Sequence, residues 1–239
     1  MLPPALDILA IAAHRDDVEQ TCAGTLLKAA QRGQRTGILD LTQGEMGTRG
    51  TAEDRAREAA DAAKILGVSW RKALDIPDGR VENTWENRLK VASVIRETRP
   101  RVVILPYWKG RHPDHYTCST LGYEACFLAG LKKLDIPAPP HRPFKIIYAT
   151  LYYDIRPTFV VDISAQFEQK LASIFAYKSQ FSDQEAGKDL FPAFNEIRAR
   201  VESMARFYGA LGGVTYAEPF IQKEIGLVDD LLAIPVKSI

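Results

Sequence analysis

Cysteine is scarce in this chain of 239 residues: Cys22, Cys118 and Cys126 are the three, and no two of them form a CxxC pair. An odd, scattered set of thiols is expected to be reduced and points to a cytoplasmic home. Cys118 and Cys126 lie eight positions apart in a helical stretch and read as small core residues. Net charge is almost absent, at +1, so nothing favours nucleic acid or an anionic membrane as a partner. No apolar run approaches the ~20 residues that a membrane span needs. The opening Met1-Leu2-Pro3-Pro4 has neither the basic stretch nor the cleavage site of a secretory signal. Repeats and low-complexity tracts are missing too. Hydrophobic content, at 46%, is that of an ordinary globular protein.

What is present alternates between two periodicities. Strand-like runs occupy Leu6–Ala13, Arg35–Leu41, Trp70–Leu74, Arg101–Leu105 and Lys145–Tyr152. Helical patterns fill Gln20–Arg32, Ala52–Leu66, Glu86–Thr98 and Tyr116–Lys133 between them. Thr51 with Asp54 predicts an N-terminal cap for the second helix, and Gly67 a stop. Repeated βα units with continuous apolar strands predict an α/β fold: a Rossmann-like, mostly parallel sheet with helices on both faces. The proline-rich Ala138-Pro139-Pro140-His141-Arg142-Pro143 leads to a smaller C-terminal α+β part. That part is expected to hold a strand at Thr158–Ile163 and helices near Ala165–Gln180 and Ala193–Tyr208. The whole is read as one domain over residues 1–239, with its core at 1–134 and an extension at 144–239.

Histidine is also scarce, and its distribution is the main functional signal. Three of the four histidines fall in two short polar clusters, His14-Arg15-Asp16-Asp17-Val18-Glu19 and His112-Pro113-Asp114-His115, each following a strand-like run. In open α/β sheets ligands bind beyond the carboxyl ends of strands. The segments leaving those ends are His14–Glu19, Thr42–Gly50, Asp75–Glu82 and Pro106–His115. His14 and Asp17 are close enough for one turn to aim both at a common point, and His115 can add a third ligand. Two histidines and one carboxylate leave a coordination position open, which is a catalytic zinc pattern. The same set suits non-haem Fe2+. Alternatively, Asp16 and Asp17 merely cap the next helix. Zinc lowers the pKa of a bound water to about 7. Asp16 is then the candidate general base, and His112 the group that stabilises an oxyanion or protonates a leaving amine. Asp114 can orient His112 and favour its charged form, or cap the following helix.

These clusters resemble those of the PIG-L / LmbE-like zinc-dependent N-acetylglucosaminide deacetylases, whose first motif reads Ala-His-Pro-Asp-Asp-x-Glu. Further segments resemble the bacillithiol-biosynthesis subgroup: Gly44 to Thr51, Pro77-Asp78-Gly79, Glu82-Asn83, His141-Arg142-Pro143, Phe159 to Ser164 and Ala176 to Phe181. The resemblance spans about Leu6 to Phe181. It implies zinc on His14, Asp17 and His115, Asp16 as base, His112 as acid or oxyanion partner and Asp114 as its orienting carboxylate. It also implies that Arg55 and Arg142 contact substrate, with Arg49 a weaker candidate. The implied reaction is deacetylation of N-acetylglucosaminyl malate, a small amino-sugar, whose two carboxylates suit guanidinium forks. A homo-oligomer, possibly a hexamer, is implied as well. Two departures stand out: Arg15 replaces the motif's proline, giving a more flexible turn and a positive charge near the metal, and Gln20 to Thr25 keep one glycine where relatives have two. Glu19 reads as structural, His141 as surface or packing, and Tyr216-Ala217-Glu218 as a segment able to reach the cleft.

Rival readings are a metallohydrolase acting on another N-acetyl sugar, a small amide or a phosphoester, a nucleotide-binding module, and a catalytically silent relative. The turn Ala12 to Asp17 has no glycine, whereas phosphate cradles need Gly-x-Gly-x-x-Gly there. The full set of ligands, base and acid opposes the silent relative.

Overall fold

A computed structural model describes residues 5–182 and 192–236; the reading of Met1 to Pro4 lies outside them. Seven strands form one sheet: β1 (Ile8–Ala12), β2 (Thr36–Asp40), β3 (Trp70–Ala73), β4 (Val102–Pro106), β5 (Lys145–Ala149), β6 (Phe159–Asp162) and β7 (Ala217–Ile221). Their order is β3-β2-β1-β4-β5-β7-β6. β3 through β5 pair in parallel, and β7 lies antiparallel between β5 and β6. The C-terminal strands therefore extend the same sheet. β7 is a strand that the sequence pattern did not reveal, because Pro219 sits in its middle.

Helices cover both faces. They are α1 (Asp17–Thr21), α2 (Ala23–Gln31), α3 (Ala52–Ile65), α4 (Trp85–Thr98), α5 (Pro113–Ala129), α6 (Phe167–Phe175), α7 (Lys178–Phe181) and α8 (Phe194–Gly212). Alternation along β1 splits the core. Leu9, Ile11 and Ala13 join the α4 and α5 residues Val91, Ile95, Leu121 and Ala125. Ala10 and Ala12 join Val18, Cys22 and Leu26 of the opposite layer. All three cysteines are buried free thiols. Gly122 lets α5 approach β4, since a Cβ there would lie 2.4 Å from Leu105.

Two helices expected as single elements are broken. Gln20–Arg32 divides at Cys22, where φ is −139° and ψ 17°. The reason is long-range: Glu218 of β7 accepts hydrogen bonds from the N–H groups of Gly24 and Thr25 at 2.9 and 2.7 Å, capping α2 afresh. Glu218 also accepts from Lys170 Nζ at 2.6 Å. It is thus committed to structure and does not line the main cleft, contrary to the expectation for Tyr216-Ala217-Glu218. Ala165–Gln180 likewise divides into α6 and α7. α5 starts at Pro113, earlier than Tyr116, with His112 as N-cap and proline at the first helical position.

A buried ion network ties the layers under the site. Arg71 of β3 contacts both carboxylate oxygens of Asp40 (Nε–Oδ2 2.9 Å and Nη2–Oδ1 3.0 Å) and donates to Glu19 Oε1 at 2.6 Å. Tyr177 OH donates to the same Glu19 oxygen at 3.1 Å. Glu19 is wholly buried, which agrees with a structural role. Removing one partner of such a network strands buried charge, at a cost of about 3–5 kcal/mol. Arg71→Met is expected to lower unfolding free energy by about that amount in urea titration at neutral pH; a loss under about 1 kcal/mol would show the network to be dispensable.

Candidate active site

Parallel pairing of β1 with β4, in register from Ile8↔Val102 to Ala10↔Ile104, sets the two histidine clusters side by side. This is the switch point where strand order reverses. The turn after β1 fixes its own ligand: the His14 N–H donates to Asp17 Oδ2 at 2.9 Å. His14 Nδ1 lies 3.3 Å from Asp17 Oδ2 and 3.2 Å from His115 Nε2. His115 Nε2 lies 3.2 Å from Asp17 Oδ1. An ion with ligand bonds of about 2.0–2.1 Å spans edges of about 2.8–3.4 Å between right-angle and tetrahedral geometry. The donor set and spacing of His14, Asp17 and His115 fit a single divalent ion. His112 also brings a ring nitrogen within 4.8 Å of those of His14 and His115.

The far side of His14 is crowded with carboxylates. Its Nε2 is 3.1 Å from Asp78 Oδ1 and 3.3 Å from Asp114 Oδ2. Burial opposes a charge on this imidazole, but Asp17, Asp114 and Asp78 together raise its pKa to about 12. Asp114 is fixed in turn by the N–H groups of Gly79 (2.8 Å) and Val81 (3.2 Å). Its role differs from the expected one. The carboxylate of Asp114 supports His14, and only its backbone N–H meets His112, donating to Nδ1 at 3.3 Å. Burial, then the neighbouring His14 and His115, push the His112 pKa down. His112 is therefore neutral. With Nδ1 accepting, the proton resides on Nε2.

Asp16 faces the cleft, and Arg55 Nη2 donates to its Oδ1 at 2.8 Å. Burial raises the Asp16 pKa, Arg55 opposes that, and Asp17 adds to it; the net direction is upward. Arg55 is thus largely buried and paired with Asp16, while it still lines the cleft where a substrate would lie. The glycine loop is shaped around it. Gly44 adopts φ +74°, and a Cβ there would sit 2.5 Å from Arg55 Nη1. Arg142 is not brought to the site within the chain. It stacks over Phe127 at 5.1 Å, near the C-terminal end of α5, whereas His115 lies in that helix's first turn, roughly 20 Å away at 1.5 Å per residue. Arg49 is buried and donates to the Gln180 carbonyl at 3.2 Å, joining the glycine loop to α7. Arg15 is not a source of flexibility: it is buried, and its Nη1 donates to the Ala52 carbonyl at 2.7 Å, pinning the ligand turn to α3. His141 Nε2 donates to the Pro100 carbonyl at 2.7 Å, a packing contact away from the site.

Several site residues had no sequence signal of a role. Tyr152 takes a left-handed backbone, φ +51°, a conformation uncommon outside glycine and asparagine. Its OH donates to Gln20 Oε1 at 3.1 Å, and Gln20 Nε2 donates to Asp16 Oδ2 at 3.4 Å. Asp78, visible in the sequence only as part of a loop motif, links His14 to the glycine loop. Met46 N–H donates to Asp78 Oδ2 at 3.0 Å, and Asp78 N–H to Glu45 Oε1 at 2.8 Å. All of this opens on a cleft of about 450 Å³, within the usual range of small-molecule sites.

Fold and site together define a hydrolase of the α/β class with a His–Asp–His cluster at the sheet's switch point. The profile of the PIG-L family, described as GlcNAc-PI de-N-acetylase, matches residues 9–126. The diacetylchitobiose deacetylase of Thermococcus kodakarensis is 33% identical over 225 residues, covering 88% of this chain and 80% of that protein. Among solved structures, a conserved protein of Thermus thermophilus superposes with TM-score 0.85 at 41% identity, over 94% of this chain and 98% of its own. The N,N'-diacetylchitobiose deacetylase of Pyrococcus horikoshii gives TM-score 0.79 at 28% identity, over 89% and 82%. The chain belongs to the PIG-L family. It is an N-deacetylase, a hydrolase of amide C–N bonds on N-acetylglucosamine-type substrates.

Outer carboxylates of this kind orient and strengthen a metal-binding histidine, and their loss typically costs 10–100-fold in metal affinity or activity. Asp78→Ala is expected to weaken retention of a divalent metal about tenfold or more in a chelator competition. Asp78→Asn, which keeps an acceptor for Met46 N–H, should lose less. Equal metal affinity in wild type and both variants would remove Asp78 from this role.

Proposed function

We propose that the chain is a zinc-dependent deacetylase of N-acetylglucosaminyl malate, releasing acetate and glucosaminyl malate in the cytoplasmic synthesis of bacillithiol. The observation that carries the metal chemistry is the triangle of His14 Nδ1, Asp17 and His115 Nε2, with edges of 3.2–3.3 Å. Zinc bound there, or Fe2+ in the same donor set, would act as a Lewis acid and lower the pKa of a water. Asp16 is placed to take a proton from water as that water's oxygen bonds to the acetamide carbon, its raised pKa bringing it closer to neutral pH. Arg55 holds Asp16 toward the cleft and keeps it from protonating too early. His112 donates its Nε2–H to the acetamide oxygen as negative charge develops there. Asp16, now protonated, delivers the proton to the departing amine.

The malate reading draws on the sequence motifs and on the walls of the cleft. Lys109 and Arg111 line it and have no carboxylate partner among the described residues, and Arg200, which lies 3.8 Å from Glu196, lines it too. Cations so placed suit the two carboxylates of malate, a role the sequence assigned to Arg55 and Arg142. A second reading, a neutral N-acetylated disaccharide, is favoured by the relatives that act on diacetylchitobiose. Acetate release from N-acetylglucosaminyl malate, diacetylchitobiose and N-acetylglucosamine, with and without a chelator, separates them. The malate glycoside should give the highest kcat/KM, and chelator should abolish every activity until zinc is restored. A preference for diacetylchitobiose would favour the second reading, and full activity in chelator would end the metal assignment.

Two variants test the base. Asp16→Asn should retain zinc but lose kcat by 100-fold or more, on the order of a general base's worth. Arg55→Gln removes a group that lowers the Asp16 pKa, so the acidic limb of the kcat/KM profile should move to higher pH. An unmoved limb would separate that limb from Asp16.

A further inference from the structure

Beyond Ile221 the chain leaves β7 and carries a strongly apolar stretch through solvent. Leu227 is 95% exposed and Leu232 93%, and Ile225, Leu231 and Val236 are similarly bare. This stretch is locally ordered: Asp230 caps a single 3-10 turn at Leu231–Ala233, accepting from the Leu232 N–H at 3.0 Å. Its root is fixed, with Lys223 Nζ lying 4.5 Å from the ring centres of Trp108 and Tyr148 and 5.1 Å from that of Tyr123.

Tyr123 belongs to a second uncovered surface. Tyr116, Tyr123 and Phe127 follow at spacings of seven and four along α5, so they share one helix face. All three are exposed, Phe127 by 57%, and Phe144 beyond the helix by 81%. Arg142 lies over Phe127 and Lys145 over Phe144. Neither cation has a carboxylate partner among the described residues, and Asp229 and Asp230 of the tail have no cationic partner there. An apolar tail with two acids and an aromatic stripe flanked by two cations are complementary in both respects. They adjoin at the tail's root, where Lys223 Nζ lies 5.1 Å from the Tyr123 ring, yet each is exposed to solvent. Contiguous apolar surface of this kind marks an interaction site.

We propose that residues 225–236 of one copy lie along the α5 stripe of a second copy, and reciprocally. Because tail root and stripe adjoin at Lys223, a twofold axis nearby lets each tail cross to the other's helix, an isologous exchange. The acids at 229 and 230 then meet Arg142 and Lys145 of the partner subunit.

Paired cysteines test the arrangement directly. Leu232→Cys in one tagged copy and Phe127→Cys in another, mixed and mildly oxidised, should give a disulfide between the two chains on a non-reducing gel. The native thiols are buried and do not compete. A bond formed only within a chain carrying both substitutions, or none at all, overturns the proposal. The double change Leu231→Asp, Leu232→Asp alters side chains that touch nothing in the monomer, so the fold is not at risk. It should weaken self-association at least tenfold in sedimentation equilibrium. Wild type that is monomeric at micromolar concentration, or a variant that associates unchanged, also overturns it.

Discussion

The structure depends on the parallel contact between β1 and β4. These strands are distant in sequence, but their pairing aligns the points at which both chains leave the sheet. Neither exit would bind a metal alone: His14 and Asp17 supply two donors, and the third comes from the first turn of α5, held by β4. Small side chains make the contact possible. Ala10, Ala12 and Ala13 are buried on β1, and Gly122 brings α5 down against Leu105. An added methyl group at Gly122 would displace the helix that carries His115, so core packing and metal geometry are one constraint.

The second organising fact is how much negative charge converges on His14. Asp17 lies at one ring nitrogen, and Asp78 and Asp114 at the other. Buried carboxylates repel one another and lose hydration, so each must be held by something specific. Asp114 takes two backbone amides, Asp78 takes the amide of Met46, and Asp16 takes Arg55. These restraints come from two loops, at 44–48 and 78–81, and from helix α3. A divalent ion between His14, Asp17 and His115 would supply positive charge where the carboxylates most need it, and loop order and metal binding would then support each other.

The α/β class, the five parallel strands and the meeting of the two histidine clusters were legible in the sequence because they rest on local patterns: apolar runs, capped helices, and polar residues at strand ends. What was misread rests on long-range partners. Nothing local reveals that Glu218 breaks a helix near Gly24 from nearly two hundred residues away. Nor does anything local reveal that Arg55, which lines the cleft, also holds Asp16. Arg15 looked flexible because proline was missing, yet its guanidinium replaces one constraint on the turn by another through Ala52. Asp114 was assigned to His112 by proximity in sequence, while helix geometry turned its carboxylate the other way, onto His14.

The same contrast separates what the family decides from what this chain decides. The ligand triangle, Asp16 and His112 sit on strand ends and a helix start, elements whose placement is set by the core. The residues that would meet the rest of a substrate, Lys109, Arg111, Tyr152 and Arg200, sit on connecting segments and an exposed helix face. Loops tolerate change that strands do not, so a shared deacetylation chemistry is compatible with different sugars on the same scaffold. Charge is the property that distinguishes these walls. In the malate reading proposed above, Lys109 and Arg111 attract the anionic aglycone and would lose hydration without return against a neutral one. In that reading specificity lies outside the metal triangle, in groups whose replacement should alter which glycoside is chosen without altering how its amide is cleaved.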